Sequence, residues 1–225
     1  MLERFRLFSR GLLIFLTTLT AVIFITVASS PLVFRSLISP LHLVKISGLN
    51  VSTLMKNYLV VVNYLLNPFN NHLVFPNFIQ SSAGLRHFFE VKQLILVNNV
   101  VFLCGLICSF FVFRSASRSK YWLTLKRSLL FLIVIPFVLI FLMFATDFNQ
   151  FFVEFHMILF RNSDWIFDPM RDPIINILPE EFFEVEFIFF FVLWVLVLLI
   201  MNILINRQIK KELSLNNSMD ISITR

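Results

Sequence analysis

The chain has 225 residues, of which 58% are hydrophobic and 14% are charged, and 30 of them are phenylalanine. This composition excludes a water-soluble globular domain and indicates a protein that crosses a membrane several times. The formal net charge of +6 does not indicate a nucleic-acid partner, because the basic residues flank apolar segments and form no patch interleaved with aromatic residues.

Residues 12–29 form the first uncharged run, soon after three arginines in the first ten residues. A cleaved signal peptide is the alternative, since Val27-Ala28-Ser29 loosely resembles a small-residue cleavage site. The run is long for the apolar part of a signal peptide, however, and Pro31 close behind that site would hinder cleavage. We therefore expect residues 12–29 to form the first transmembrane helix.

Three further apolar runs are long enough to cross a bilayer, which requires roughly 17–25 residues. They lie at about residues 94–113, 128–146 and 187–206. Together with the first run they predict an all-α membrane protein, built as a single integral domain with four transmembrane helices.

Basic residues set the orientation of the four spans. They cluster in the N-terminal segment, the loop 114–127 and the tail 207–225, whereas segments 31–93 and 147–186 together hold ten of the thirteen acidic residues and seven of the nineteen basic ones. Because basic residues are retained in the cytoplasm, we expect both termini inside and segments 31–93 and 147–186 outside. The two outer segments are expected to form a small extracellular cap of helical and irregular structure.

The cap contains an amphipathic pattern over residues 51–66, in which apolar residues recur at helical spacing. Asn50 or Ser52 can cap the start of this helix, and Asn67, which precedes a proline, ends it.

The remaining cap elements adjoin the spans. Ser81 or Ser82 is expected to cap a helix that runs on into span two. The helix of span three is expected to continue outward until the turn-forming residues 162–164 break it, and Pro179 is expected to start the helix of span four.

Two histidines lie where the predicted helices leave the membrane. His87 precedes span two by about two turns and His156 follows span three by about as much, so both are expected at similar depth and could meet. An imidazole, whose pKa is ordinarily about 6.5, can accept or donate a proton at neutral pH. Glu90, one turn from His87, could fix its tautomer. His156 and Glu90 also have ordinary structural interpretations, the first as a packing residue and the second as a solvated carboxylate.

Other catalytic chemistries have little support. No serine, cysteine or threonine lies in a nucleophile motif, so a covalent acyl-enzyme is not indicated. Cys104 and Cys108 match no metal-binding spacing and are expected to be small core residues. No tight ligand spacing indicates zinc, and the predicted spans contain no charged residue of the kind that ion-coupled transporters use. We therefore expect neither a metal nor another cofactor.

Three segments resemble the lipoprotein intramolecular transacylase family (Lit) of Gram-positive bacteria. They are residues 57–69 (NYLVVVNYLLNPF), 81–99 (SSAGLRHFFEVKQLILVNN) and 151–183, which begins FFVEFHMILFRNSDW. The resemblance implies a four-span enzyme that moves the sn-2 acyl chain of a diacylglyceryl lipoprotein onto the α-amino group of its N-terminal cysteine. It also implies that His87 and His156 are the catalytic pair.

The implied substrate requires a pocket that folds it back on itself. We expect aromatic residues to form that pocket and two carboxylates to contact the substrate, namely Tyr58, Tyr64, Phe152, Trp165, Phe167, Glu90 and Asp168. One histidine would act as the base and the other, as an imidazolium, would stabilise the oxyanion or protonate the leaving oxygen, without an indication of which does which.

The implied partners are a diacylated lipoprotein and membrane lipids, in a multi-pass protein of the bacterial cell membrane with its active site on the extracellular side. The sequence does not indicate an oligomeric state. Two other functions stay open, a non-enzymatic accessory protein that docks its cap on a partner and a metal-dependent interfacial hydrolase.

Overall fold

The structure is a computed structural model that describes residues 2–114 and 119–223. The described residues form α-helices and one short 3-10 helix, with no strand among them. The helices are α1 (Leu2–Leu37), α2 (Leu43–Ser47), α3 (Val51–Leu66), α4 (Ser82–Arg114), α5 (Ser119–Ala145), α6 (Phe148–Leu159) and α7 (Glu180–Ile223), and the 3-10 helix is Pro173–Asn176. Residues 115–118 of the predicted loop 114–127 and the last two residues of the tail lie outside the described part.

Four helices are long and apolar enough to cross a membrane, which confirms the all-α class and the four predicted spans. Their candidate spans are Phe8–Leu37, Ser82–Val112, Leu125–Ala145 and Glu180–Leu215. The expectation that Cys104 and Cys108 are core residues is wrong, because both are exposed on α4. Most of the apolar surface of α4 faces outward, where a bilayer would cover it.

The chain divides into two compact units, the first of which contains the described parts of residues 1–22, 100–140 and 191–225. Trp194 is almost fully buried there, with its indole Nε1 3.4 Å from the Thr18 hydroxyl. A Cβ on Gly105 would lie 2.4 Å from the Thr17 hydroxyl oxygen. This glycine therefore permits a close approach of α4 to α1, as small residues do between membrane helices.

The second unit contains residues 23–99 and 141–190 and carries a large apolar core. Phe34 stacks on Tyr58 at 4.2 Å, and Phe182 packs edge-on against both rings. Helix α3 supplies much of this core through its buried face, as its amphipathic pattern predicts. Its start is capped by Asn50, whose Oδ1 accepts a hydrogen bond from the Thr53 amide at 2.9 Å.

The helix of span three does not continue outward, contrary to expectation. α5 ends at Ala145, and α6 begins as a separate helix at Phe148. Between them Asp147 has φ 67° and ψ 139°, a backbone conformation outside the helical region that residues with a side chain rarely adopt. The direction of α6 is therefore set by its own packing and not by the axis of α5.

Helix α4 starts at a junction between two distant segments. The Ser81 hydroxyl accepts a hydrogen bond from the Gly84 amide at 2.9 Å, as an N-cap does. Asp172 in turn accepts bonds from the Ser81 amide at 2.7 Å and the Ser81 hydroxyl at 2.6 Å, and only 4% of its surface is exposed. A Cβ on Gly84 would lie 2.4 Å from Asp172 Oδ1, so the junction requires a glycine there.

Candidate active site

His87 and His156 meet in the second unit. His87 lies in the second turn of α4 and His156 near the end of α6, and their ring centroids are 5.8 Å apart. Each histidine is only 9% exposed. Two titratable rings at this distance can act on two atoms of one bound molecule.

Aromatic side chains enclose the two histidines. Phe160 and Phe167 lie 4.8 Å and 5.7 Å from His87, both edge-on. Phe152 lies 4.1 Å from His156, and Trp165 stacks on it at 4.8 Å. These four side chains come from α6 and the loop after it, and we call them the aromatic box. The box excludes water from around both histidine rings.

The tautomer of His156 follows from one hydrogen bond. Its Nδ1 lies 2.7 Å from the backbone carbonyl oxygen of Phe152, which can only accept. Nδ1 therefore carries the hydrogen in the neutral ring, and Nε2 keeps a lone pair that can take a proton. Burial lowers the pKa of His156 from its ordinary value, and this hydrogen bond opposes the shift without reversing it.

The hydrogen bonding of His87 differs from that of His156. Its Nδ1 is buried without a hydrogen-bond partner among the described residues. The Glu90 carboxylate accepts two bonds from the Asn162 side-chain amide, at 2.8 Å and 3.1 Å, and none from this nitrogen. The expectation that Glu90 fixes the tautomer of His87 therefore fails at Nδ1, because Glu90 holds the loop after α6.

An ion pair that the sequence analysis missed holds the same loop. Arg86 donates to both oxygens of Asp164, from Nε at 2.8 Å and from a terminal nitrogen at 3.0 Å. These bonds are the main reason that the pKa of the Asp164 carboxyl is lowered. Each partner directly precedes a ring of the site, His87 or Trp165, and that adjacency was the signal in the sequence.

A model of the protein family described as lipoprotein intramolecular transacylase Lit matches residues 8–183 of the chain. The chain belongs to the Lit family. The matched region contains both histidines, the aromatic box and the junction at the start of α4.

Solved structures of Lit from Bacillus cereus, a membrane-integral protein, share the fold of this chain. One superposes with a TM-score of 0.78 at 23% identity, over 96% of this chain and 100% of the other. Two further structures, in which one histidine is replaced by arginine or alanine, give TM-scores of 0.71 and 0.70 at 22% identity. They cover 97% and 96% of this chain and 96% and 98% of theirs. No curated protein matches the chain.

Not all of the predicted substrate contacts adjoin the histidines of this Lit chain. Tyr58 is buried in the core, where its hydroxyl donates to Ser30 at 2.7 Å. Tyr64 belongs to the same core and lies 4.5 Å below the Lys92 ammonium. Asp168 is exposed and forms a turn by accepting a bond from the Met170 amide at 2.9 Å. Their role as substrate contacts stays a prediction.

Two buried charged residues were also missed, Lys92 on α4 and Glu186 on α7. They lie two residues and one residue before the predicted spans 94–113 and 187–206. The signal for both was a charge at the border of an apolar run, where burial cannot be judged from hydropathy alone. Among the described residues, no group of three or more His, Cys, Asp or Glu side chains could hold a metal ion.

Proposed function

We propose that this chain transfers the sn-2 acyl group of a diacylglyceryl lipoprotein to the α-amino group of the lipoprotein's own N-terminal cysteine. The observation that carries this proposal is the pair of buried histidines, 5.8 Å apart inside an aromatic box, in a chain of the Lit family. Ester and amine belong to one molecule, so the enzyme mainly has to hold them together. Such orientation can contribute about 7–11 kcal/mol to the lowering of a barrier.

His156 is the proposed base. Its Nε2 has a lone pair because Nδ1 is committed to the Phe152 carbonyl, and its lowered pKa keeps the ring neutral at pH 7. The substrate amine, whose pKa is about 8, attacks the ester carbonyl carbon in its neutral form. Nε2 takes the proton that the amine loses and then delivers it to the glyceryl oxygen as the carbon–oxygen bond breaks, so the proton count balances.

His87 is the proposed donor to the oxyanion. An imidazolium would place a second N–H at the buried Nδ1, where it has no partner among the described residues, so a neutral ring that donates from Nε2 is favoured. Its edge-on contacts with Phe160 and Phe167 hold the ring in place. A fixed hydrogen-bond donor of this kind stabilises the charge that develops on the carbonyl oxygen.

The reaction is proposed to take place on the outer side of the cell membrane. The support is the excess of basic residues in the N-terminal segment, the loop 114–127 and the tail 207–225. Reporter fusions after residues 75 and 213 are expected to report an outer and a cytoplasmic position. A cytoplasmic signal from the first fusion would contradict the proposal.

Acyl transfer can be tested by incubating the purified protein with a synthetic diacylglyceryl-cysteine peptide. Intramolecular transfer leaves the peptide mass unchanged but removes its reactive primary amine, and tandem mass spectrometry then finds the acyl group on nitrogen. A hydrolase would instead lower the mass by one acyl group, and an accessory protein would change nothing. An N-acetylated peptide is the control, because it has no amine to accept the acyl group.

A further inference from the structure

Glu186 on α7 is a buried carboxylate without a hydrogen-bond partner among the described residues. It is 9% exposed, like the two histidines, and both of its oxygens are inaccessible and unpartnered. An ionised carboxylate in such a place is costly unless it is paired, and buried ionisable groups near a membrane commonly bind a ligand. The proposed acyl-transfer steps do not use it.

Other polar groups are buried in the same unit as Glu186. Tyr58 belongs to the apolar core of this unit, where burial raises the pKa of its phenol and the Glu186 carboxylate raises it further. Tyr58 donates to Ser30 on α1, and one turn earlier the Thr26 hydroxyl is buried without a partner. Three oxygens of the second unit, two from Glu186 and one from Thr26, are therefore buried without a hydrogen-bond partner among the described residues.

Two ring contacts connect α7, one turn before Glu186, to the histidine site. Phe183 precedes Glu186 by one helical turn on α7 and packs on Phe152 at 5.4 Å. Phe152 in turn lies 4.1 Å from His156. Glu186 therefore lies on the same face of α7 as a ring that packs against the histidine site.

The protein supplies no cation to this carboxylate in the described part of the chain. Lys92, the buried cation of α4, donates to the backbone oxygen of Asn70 and lies over the Tyr64 ring. The complementary group must therefore come from a ligand that brings positive charge and several N–H donors. A primary ammonium fits, since its three hydrogens can satisfy both carboxylate oxygens and a hydroxyl.

Building on the function proposed above, we propose that Glu186 binds the α-ammonium group of the substrate's N-terminal cysteine. The residue would then be a specificity determinant, since it recognises lipoproteins whose amine is still free and rejects those already acylated on nitrogen. The bound ammonium passes one proton to the Glu186 carboxylate, and the resulting neutral amine then attacks the ester at His156. Loss of Glu186 is expected to raise KM more than it lowers kcat, because it acts on substrate binding.

The test compares two peptides whose lipid chains are attached by ether bonds, so that no acyl transfer can occur. One has the free α-amine and the other has hydrogen in its place. The wild-type protein in nanodiscs is expected to bind the amine peptide about tenfold more tightly, as a charge-assisted hydrogen bond allows. Glu186→Gln, which is nearly isosteric, is expected to bring this ratio close to one.

Glu181→Gln is the matched control, because it removes an exposed carboxylate of the same helix and is expected to keep the wild-type ratio. The melting temperature of Glu186→Gln is expected to equal or exceed that of the wild type, since an unpaired buried charge is removed. An unchanged ratio in Glu186→Gln, or no preference for the amine in the wild type, would overturn the inference. Failure of the proposed function would appear separately, as absence of acyl transfer by the wild type with the diester peptide.

Discussion

Two places in the second unit bury polar side chains in opposite ways. At the start of α4, the buried Asp172 carboxylate accepts two hydrogen bonds from Ser81, and the Ser81 hydroxyl caps the helix. In the histidine site, His87 Nδ1 has no partner among the described residues, and on α7 neither oxygen of Glu186 has one. Polar groups that hold a fold together are satisfied within it, whereas unsatisfied ones call for an explanation such as a substrate. The Asp172–Ser81 junction positions α4, whereas His87 and Glu186 keep atoms that a substrate can bind.

The largest loss of activity is expected when the histidines, which belong to the unsatisfied set, are replaced. His87→Ala and His156→Ala should each lower acyl transfer by about 10³-fold or more, since each removes a proton acceptor or a charge stabiliser. The double variant should be little slower than the slower single variant, because groups that share one step lose activity non-additively. Transfer assayed by the loss of the primary amine checks this.

The controls for the histidines are His42→Ala and His72→Ala, which remove exposed rings of the same unit and should stay active. Retention of most activity by His156→Ala would contradict the paired mechanism. So would a double-variant loss equal to the product of the two single losses.

A large effect on stability is expected at the satisfied carboxylate. Asp172→Ala removes the acceptor of two hydrogen bonds and leaves the partly buried Ser81 amide and hydroxyl without it, so the free energy of unfolding should fall by about 2–4 kcal/mol. The melting temperature in detergent measures this. Asp168→Ala, at an exposed turn of the same segment, should have a much smaller effect. An equal loss in both variants would show that burial of Asp172 is not what matters.

The pH dependence of catalysis should show the lowered pKa of His156. Transfer should fall by about tenfold per pH unit below the amine pKa of about 8. The fall should become steeper only below pH 6.5, the ordinary value for histidine, because burial keeps His156 neutral until then. The profile of kcat/KM between pH 5 and 9 checks this. A steeper slope that begins above pH 6.5 would indicate a raised pKa and contradict the assignment.

The same shift affects stability with a defined sign. Because the folded pKa of His156 lies below the unfolded one, the unfolded state binds more protons as the pH falls below 6.5, and stability is lost there. His156→Ala should remove this part of the loss, which melting temperatures at pH 5 and 7 would reveal.

The smallest effect is expected from the Arg86–Asp164 pair, whose arginine side chain is 60% exposed. Arg86→Ala should change the melting temperature little, since exposed ion pairs contribute about 0–1 kcal/mol. Activity should fall by several fold, because the loop that carries Trp165 loses its attachment to α4. The double variant with the two charges exchanged should recover part of the activity. A variant with full activity would show that the ion pair does not position the loop.

Local patterns predicted much of this architecture. The four spans, the amphipathic α3 with Asn50 as its cap and the matched depth of His87 and His156 all follow from runs, spacing and capping residues. Each of these depends on residues within a few turns of one another in the sequence.

Contacts between distant segments could not be predicted in this way. Asp172 binds Ser81 across 91 residues, and Asp164 binds Arg86 across 78. The break at Asp147 was also missed, since the apolar run continues on both sides of it and hydropathy does not report a backbone angle. Hydropathy also does not show that Tyr58 lies in the core with its hydroxyl on Ser30, and its expected contact with the substrate stays a prediction.

The close fit of Gly84 against Asp172 also constrains how related sequences can diverge. Any side chain at position 84 would collide with the carboxylate, while a smaller residue at position 172 would leave room for one. Substitutions at the two positions are therefore expected to occur together among members of the family, as covarying pairs in contact do. Position 84 should become variable only in relatives that have lost the acid at position 172, and in those the start of α4 should be held by another donor and acceptor pair.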